Sequence, residues 1–321
     1  MGWKGTMRSV VATARRMEKD AERQHKQAVK EQIADNASSA VASWENYIDN
    51  LLTIHTDIAS RVDWQRLCNA PKPPTPMTTT VHTDFAQNNL KRFKPKLFDF
   101  LRGGSAKLRG NLENEVAEAS KKDDRENERA IQKYANKVAE WEDDRNLAVK
   151  LLEGDSKAYL QVLEELQTLT ENDLIGSAVN FAFDEGNAHV RPQVHTDEVV
   201  PNFRRKQLAS GKLSESKMPA AQFNELYQDY VASVALKVAG DIFQMLPLDE
   251  VFVTCETEML NSKTGHKEMT PILSVKFVRS TFEQLNLANI DPSDSMKNFN
   301  HEMKFTRTRG FQPVKPLIEL L

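Results

Sequence analysis

The sequence predicts an α+β protein: an N-terminal region of long, coiled-coil-like helices forming a hairpin, then a small antiparallel-sheet domain of ββαββα order packed on a buried helix. Three observations carry this prediction. Gly (12) and Pro (13) make up only about 8% of 321 residues, against a usual value of about 12%, so helix should dominate. The prolines are absent before residue 71, crowd into Pro71-Lys72-Pro73-Pro74-Thr75-Pro76, recur at Pro95, and then vanish until Pro192. Near residue 175 the apolar rhythm changes from every third or fourth residue to every second.

The elements follow in order, with boundaries expected at 1–70, 71–104, 105–172 and 173–321. Residues 4–30 carry eight Lys or Arg against three acids and little apolar material, which predicts a solvated basic helix. Trp44, Ile48, Leu51, His55, Ile58 and Val62 then repeat at heptad spacing, which predicts a self-associating helical seam with a histidine at one core position. The Pro cluster reads as a stiff linker. Residues 93–101 form an aromatic cluster ending in Gly103-Gly104, flanked by Lys94, Lys96 and Arg102. It is expected to cap the helical core or dock the second domain, with an interfacial membrane anchor as the alternative. A long helix spans 105–152, with a nearly all-polar middle (120–129) and Ile131, Tyr134, Val138, Trp141, Ala148 and Leu152 on one face. Gly154 stops it, and a short helix covers 156–169.

Beyond residue 175, Val179, Phe181 and Phe183 alternate with small or polar residues, Asp184-Glu185-Gly186-Asn187 is a turn, and 188–194 returns as a hairpin strand. A polar, basic connection covers 204–217. Residues 223–246 are apolar around most of a helix, as expected for one lying under a sheet. Strands are expected at 251–259 and 271–279, and Asp291-Pro292-Ser293-Asp294 opens a helix with an acid at the cap and Pro at its first position.

The tests for chemistry exclude more than they find. Two cysteines, Cys68 and Cys255, make no disulfide framework or Cys-rich zinc module. The seven histidines show no metal-ligand spacing, and His-Thr-Asp strings at His55, His82 and His195 fall in three different predicted contexts. No phosphate loop and no nucleophile elbow is present. No cofactor or metal site is therefore expected.

If Val253, Cys255, Leu273, Val275 and Phe277 face the helix, Glu256 falls opposite Ser274 and becomes a diagonal neighbour of Lys276 on the outer face. Acids and a lysine on strands beside a helix resemble the layout of restriction-endonuclease-like nucleases, whose chemistry uses a divalent metal. The expected acid-x-lysine tripeptide here reads Ser274-Val275-Lys276, so its acid is missing. Two segments could contact phosphates: Arg8, Arg15 and Arg16 in the basic helix, and Lys304, Phe305, Arg307 and Arg309, where cations and aromatics alternate. A net charge of −3 opposes non-specific binding by the whole molecule.

Lys237 and Asp241 interrupt the most apolar stretch, so an integral membrane protein is not expected. Met1-Gly2-Trp3-Lys4-Gly5-Thr6 fits only a loose myristoylation pattern, and no apolar leader precedes the first helix, which predicts a cytoplasmic protein. The function expected is therefore non-enzymatic. A self-associating helical stalk, forming a homo-oligomer, would carry an α+β domain that binds an unidentified protein partner. The alternative is a nucleic-acid-associated factor, extending to a metal-dependent nuclease built on the 251–279 hairpin.

Overall fold

A computed structural model describes residues 2, 37–94, 104–170, 176, 178–184, 187–208 and 212–318. The chain is α+β, with a long helix and a mostly antiparallel sheet beside a buried helix. It forms two compact units, Met1–Gln65 with Leu147–Leu321, and Arg66–Asn146.

In the first unit, helix α1 (Ala37–Leu52) ends where the β-branched Thr53, Ile54, Thr56 and Ile58 begin. A single 3-10 turn (Ile54–Thr56) follows, then extended chain. The heptad spacing between residues 44 and 62 therefore does not mark one helix. It runs from α1 into a non-helical segment that lies along the buried helix described next.

That helix, α6 (Ala220–Met245), comes after α2 (Trp64–Cys68), α3 (Val81–Arg92), α4 (Gly104–Leu152) and α5 (Ser156–Thr170). It is buried from Tyr230 to Phe243 without a break, which no amphipathic surface helix can be. The six-stranded sheet covers one side of it. Strand order is β1 (Ala178–Asp184), β2 (Asn187–Gln193), β5 (Glu250–Leu260), β6 (Lys267–Val278), β7 (Asn300–Thr306) and β8 (Gly310–Gln312). All neighbours are antiparallel except β2 and β5, which run parallel because the long connection through α6 joins them. Val251, Val253, Cys255, Leu273, Val275 and Phe277 have essentially no exposed surface and form the sheet's inner face. The connection at 204–217 is itself a separate two-stranded hairpin, β3 (Phe203–Gln207) with β4 (Leu213–Lys217).

Residues 53–64 run along the other side of α6. Ser233, Lys237, Gly240, Asp241 and Gln244 recur at helical spacing on that side. His55 Nδ1 lies 2.7 Å from Ser233 Oγ, and its Nε2 lies 2.9 Å from the Leu287 carbonyl. The carbonyl can only accept, so Nε2 carries the proton, and the single Ser233 hydroxyl proton is shared between Nδ1 of the neutral ring and the Leu52 carbonyl 3.2 Å away. The Ala59 amide donates to Asp241 Oδ1 at 2.8 Å, the Val62 amide to the Gln244 carbonyl at 2.9 Å, and Trp64 Nε1 to the Met245 carbonyl at 2.7 Å. At the end of α6, Arg279 donates to the Phe243, Leu246 and Leu248 carbonyls at 2.6–2.8 Å, which satisfies acceptors a helix leaves open.

In the second unit α4 is the scaffold. The whole helix has 49 residues, about 73 Å at the standard rise. The chain before α3 is not a spacer between helices but lies along α4. Arg145 Nε donates to the Cys68 carbonyl at 3.2 Å and Trp141 Nε1 to the Ala70 carbonyl at 2.9 Å. Asn127 then grips Thr79 from both sides, accepting its amide at 2.8 Å and donating to its carbonyl at 3.0 Å. The Pro cluster falls between these anchors. Its restricted φ angles suit extended chain, and it needs few backbone donors. Gly154, at φ +82°, ends α4, and Asp155 accepts from the amides of Lys157 and Ala158 to start α5.

Candidate functional site

The second unit gathers the polar and apolar features that suggest a site. Asp123, three per cent exposed, sits on the α4 face turned to α3. Its Oδ2 accepts from the Thr83 amide at 2.7 Å and the Thr83 hydroxyl at 2.6 Å, and its Oδ1 from the His82 amide at 3.2 Å. These amides belong to the first turn of α3, which has no side-chain cap of its own, so Asp123 caps that helix from across the interface. Burial acts to raise the Asp123 carboxyl, but the donors from Thr83 and His82 outweigh it and hold the pKa below the usual carboxylate value. His82 Nε2 lies 3.3 Å from Glu126 Oε1, one turn further along α4. His82, Asp123 and Glu126 each bring a ligand atom within 4.8 Å of the others.

Beside them is a groove of about 420 Å³, lined by Val81, His82, Phe85, Ala86, Glu118, Ala119 and Lys122. Val81 and Phe85 are 66% and 68% exposed, and Met77, just before α3, is 95% exposed. Large apolar side chains so exposed and adjacent are the usual mark of an unpaired interaction surface.

Sequence reasoning did not find this site. The polar middle of α4 reads as a solvated surface, yet it includes both Asp123 and Asn127. A signal was present: Leu112, Val116, Ala119, Asp123, Asn127, Ala130, Tyr134, Val138 and Trp141 recur every three or four residues, and all are sheltered. The stripe was hidden because its central positions are polar.

The predicted seam residues are spent inside the first unit. Trp44 donates to the Phe203 carbonyl at 3.1 Å, and Leu51, His55 and Val62 are buried. Ile58 packs against Gly240, and Ile48 is half-buried on α1. Burial lowers the His55 pKa, against the raising effect of backbone contacts with Leu287 and Leu52.

Glu256 and Lys276 are not brought together. The pairing runs two residues from expectation as far as Cys255, and the bulge at Cys255/Glu256 makes it three from Glu256 to the Leu260–Lys267 pair. The even shift up to Cys255 keeps Val253, Cys255, Leu273, Val275 and Phe277 on one face while changing their partners, and the bulge absorbs the odd residue beyond it. Lys276 lies opposite Phe252 and pairs with Glu250 at 2.8 Å, while Glu256 lies opposite Pro271 and pairs with Arg191 at 3.3 Å. The outer face between them is closed by residues 314–317, where the Val314 amide reaches the Pro271 carbonyl and the Leu317 amide reaches Ser274 Oγ. Cys255 is fully buried, and burial pushes its thiol pKa far up, which suppresses the thiolate.

Lys304, Arg307 and Arg309 are exposed around the β7–β8 turn, and Arg307 pairs with Glu225 at 2.6 Å. Phe305 turns inward onto Phe311, with ring centroids 5.4 Å apart, and does not form an open stacking platform. Arg8, Arg15 and Arg16 lie outside the described residues, as do most of the aromatic cluster at 93–101 and the myristoylation pattern. The described residues contain no helix long and apolar enough to cross a membrane. No family model matches the chain, and comparison with curated proteins and with solved structures returns no significant similarity.

Proposed function

We propose that this is a non-enzymatic interaction protein that associates with a second copy of itself through the groove between α3 and α4. The observation that carries the reading is the exposed pair Val81 and Phe85 over a groove whose long-helix wall bears both Glu118 and Lys122. A two-fold axis between these charges sets Glu118 of each copy against Lys122 of the other, so the surface is self-complementary. This reading puts association at the α3–α4 groove in preference to the 44–62 seam, where Leu51, His55 and Val62 are buried within the first unit.

Light scattering on size-exclusion fractions over a range of concentrations tests the proposal. The expected result is a mass that doubles with concentration. Glu118→Lys or Lys122→Glu alone lowers association, and the two together restore it. A monomer at all concentrations overturns the reading, as does a dimer indifferent to both swaps and to Phe85→Asp.

A second reading follows from the β3–β4 hairpin, as the surface by which the α+β unit meets a nucleic acid. Arg204 and Lys206 are exposed and share one face with their cross-strand partners Ser216 and Ser214, whereas Arg205 turns the other way and pairs with Glu215 at 3.2 Å. Two-stranded ribbons with a cationic, hydroxyl-bearing face suit a phosphate backbone. Fluorescence anisotropy with a labelled duplex tests it. Binding should weaken with salt, and Arg204→Ala or Lys206→Ala should each lower the salt slope by about one. Absence of binding, or an unchanged slope, removes this reading.

A further inference from the structure

We infer that His82, Asp123 and Glu126 form a binding site for a zinc-class divalent transition-metal ion that staples α3 to α4. Zinc–ligand bonds of about 2.0–2.2 Å at tetrahedral angles place donor atoms about 3.4 Å apart. His82 Nε2 and Glu126 Oε1 already stand at 3.3 Å. The third donor, on Asp123, falls within 4.8 Å of both, so a shift on the order of an ångström by one side chain completes three corners. The remaining corner faces solvent, since the His82 and Glu126 side chains are 35% and 43% exposed.

The chemistry of the donors selects the ion. One imidazole nitrogen and two carboxylates suit zinc, cobalt or nickel better than calcium or magnesium, which take sets of oxygen ligands. A neutral imidazole with two carboxylates carries two negative charges, which balance a divalent cation. Asp123 also has the supporting contact that metal-binding carboxylates usually have. Its Oδ2 is fixed by the Thr83 amide and hydroxyl, while Oδ1 accepts only a long bond of 3.2 Å from the His82 amide and keeps lone-pair capacity. No pair of these residues is close enough in sequence across the two helices to form a recognisable motif; His82 is 41 residues from Asp123.

The inference is independent of self-association, although His82 also lines the groove and a bound ion would rigidify that wall. The test uses the full chain stripped of metal with a chelator. Calorimetric titration with zinc should give one site in the second unit, and cobalt should give a visible absorption band of a nitrogen–oxygen site. Hydrogen exchange should slow at residues 79–92 on zinc addition. His82→Gln and Glu126→Gln should each weaken binding more than the 10–100-fold typical of losing a supporting contact alone. Glu126→Gln leaves the Asp123 cap in place, so loss of binding there cannot be charged to unfolding of α3. Absence of binding at about 1 mM zinc overturns the inference. So does an affinity in both variants unchanged from that of the unaltered chain, which would place the ion elsewhere. Neither outcome bears on the mass measurements that test association.

Discussion

Two stretches of this chain do the same job in opposite surroundings. Residues 53–64 lie along α6, and residues 68–83 lie along α4; each is largely non-helical and is pinned to its helix by side-chain-to-backbone hydrogen bonds. The first is tied to the core by buried groups, His55, Val62 and Trp64 on the stretch and Ser233 and Asp241 on the helix. The second is largely exposed, stiffened by prolines and held by Trp141, Asn127 and Asp123. A polar anchor in a low-dielectric interior costs far more to orphan than one that water can reach. The buried stretch should therefore break cooperatively with the whole unit, and the exposed one should detach locally.

The largest expected effect is at Lys237. Its Nζ lies 2.9 Å from Asp241, and burial pushes the Asp241 carboxyl pKa up against the pull of that ammonium. Lys237→Met strands a buried carboxylate and should cost about 3–5 kcal/mol in urea unfolding. Lys237→Met combined with Asp241→Leu should recover much of that loss. A double variant as unstable as the single one would show that the pair stabilises this packing rather than merely neutralising it.

Next is His55. Its folded pKa lies below the ordinary 6.5, so the native state favours the neutral ring. The contribution is fully present above about pH 6.5 and is lost as pH falls through the lower folded value. His55→Leu removes the donor to the Leu287 carbonyl, costs about 1–3 kcal/mol at pH 8, and should flatten the acid limb that begins below about pH 6.5. A variant with the same acid limb would assign that sensitivity to other groups.

Asn127→Ala should cost less, about 1–2 kcal/mol for its two hydrogen bonds, and should show mainly as faster hydrogen exchange at residues 71–83. Exchange that accelerates equally throughout α4 would contradict local detachment. The smallest contrast uses one substitution in both helices. A Cβ on Gly240 would meet Ile58 Cδ1 at 2.4 Å, whereas one on Gly110 meets nothing within 4 Å. Gly240→Ala should destabilise, by about 1 kcal/mol if Ile58 can swing aside. Gly110→Ala should stabilise by about 0.5–1 kcal/mol, because alanine favours helix. Melting temperatures moving in the same direction would remove the contrast.

The same contrast shows what was readable in the amino-acid order. The long helix ending at Gly154, the capped turn at Asp291 and the inward set Val253, Cys255, Leu273, Val275 and Phe277 were all legible, because each follows from local backbone preference or from a period within one element. The seam between residues 44 and 62 was legible as apolar spacing but not as its true form, since a helix and an extended segment on one helix can both place side chains at those intervals. The two stretches laid along helices were illegible. Their partners stand 48 residues away at Thr79–Asn127 and 178 residues away at His55–Ser233.

Composition, proline placement and apolar rhythm thus determined that this chain is α+β, where α4 and α6 lie and which faces of β5 and β6 turn inward, because those properties depend on neighbours within a few turns. Tertiary structure alone decided that the Pro-rich stretch binds α4, that Glu256 and Lys276 part company, and that His82 meets Asp123 and Glu126. Each of these depends on register or on side chains meeting across a large loop, and such contacts are chosen by the packing of the whole rather than by any local preference.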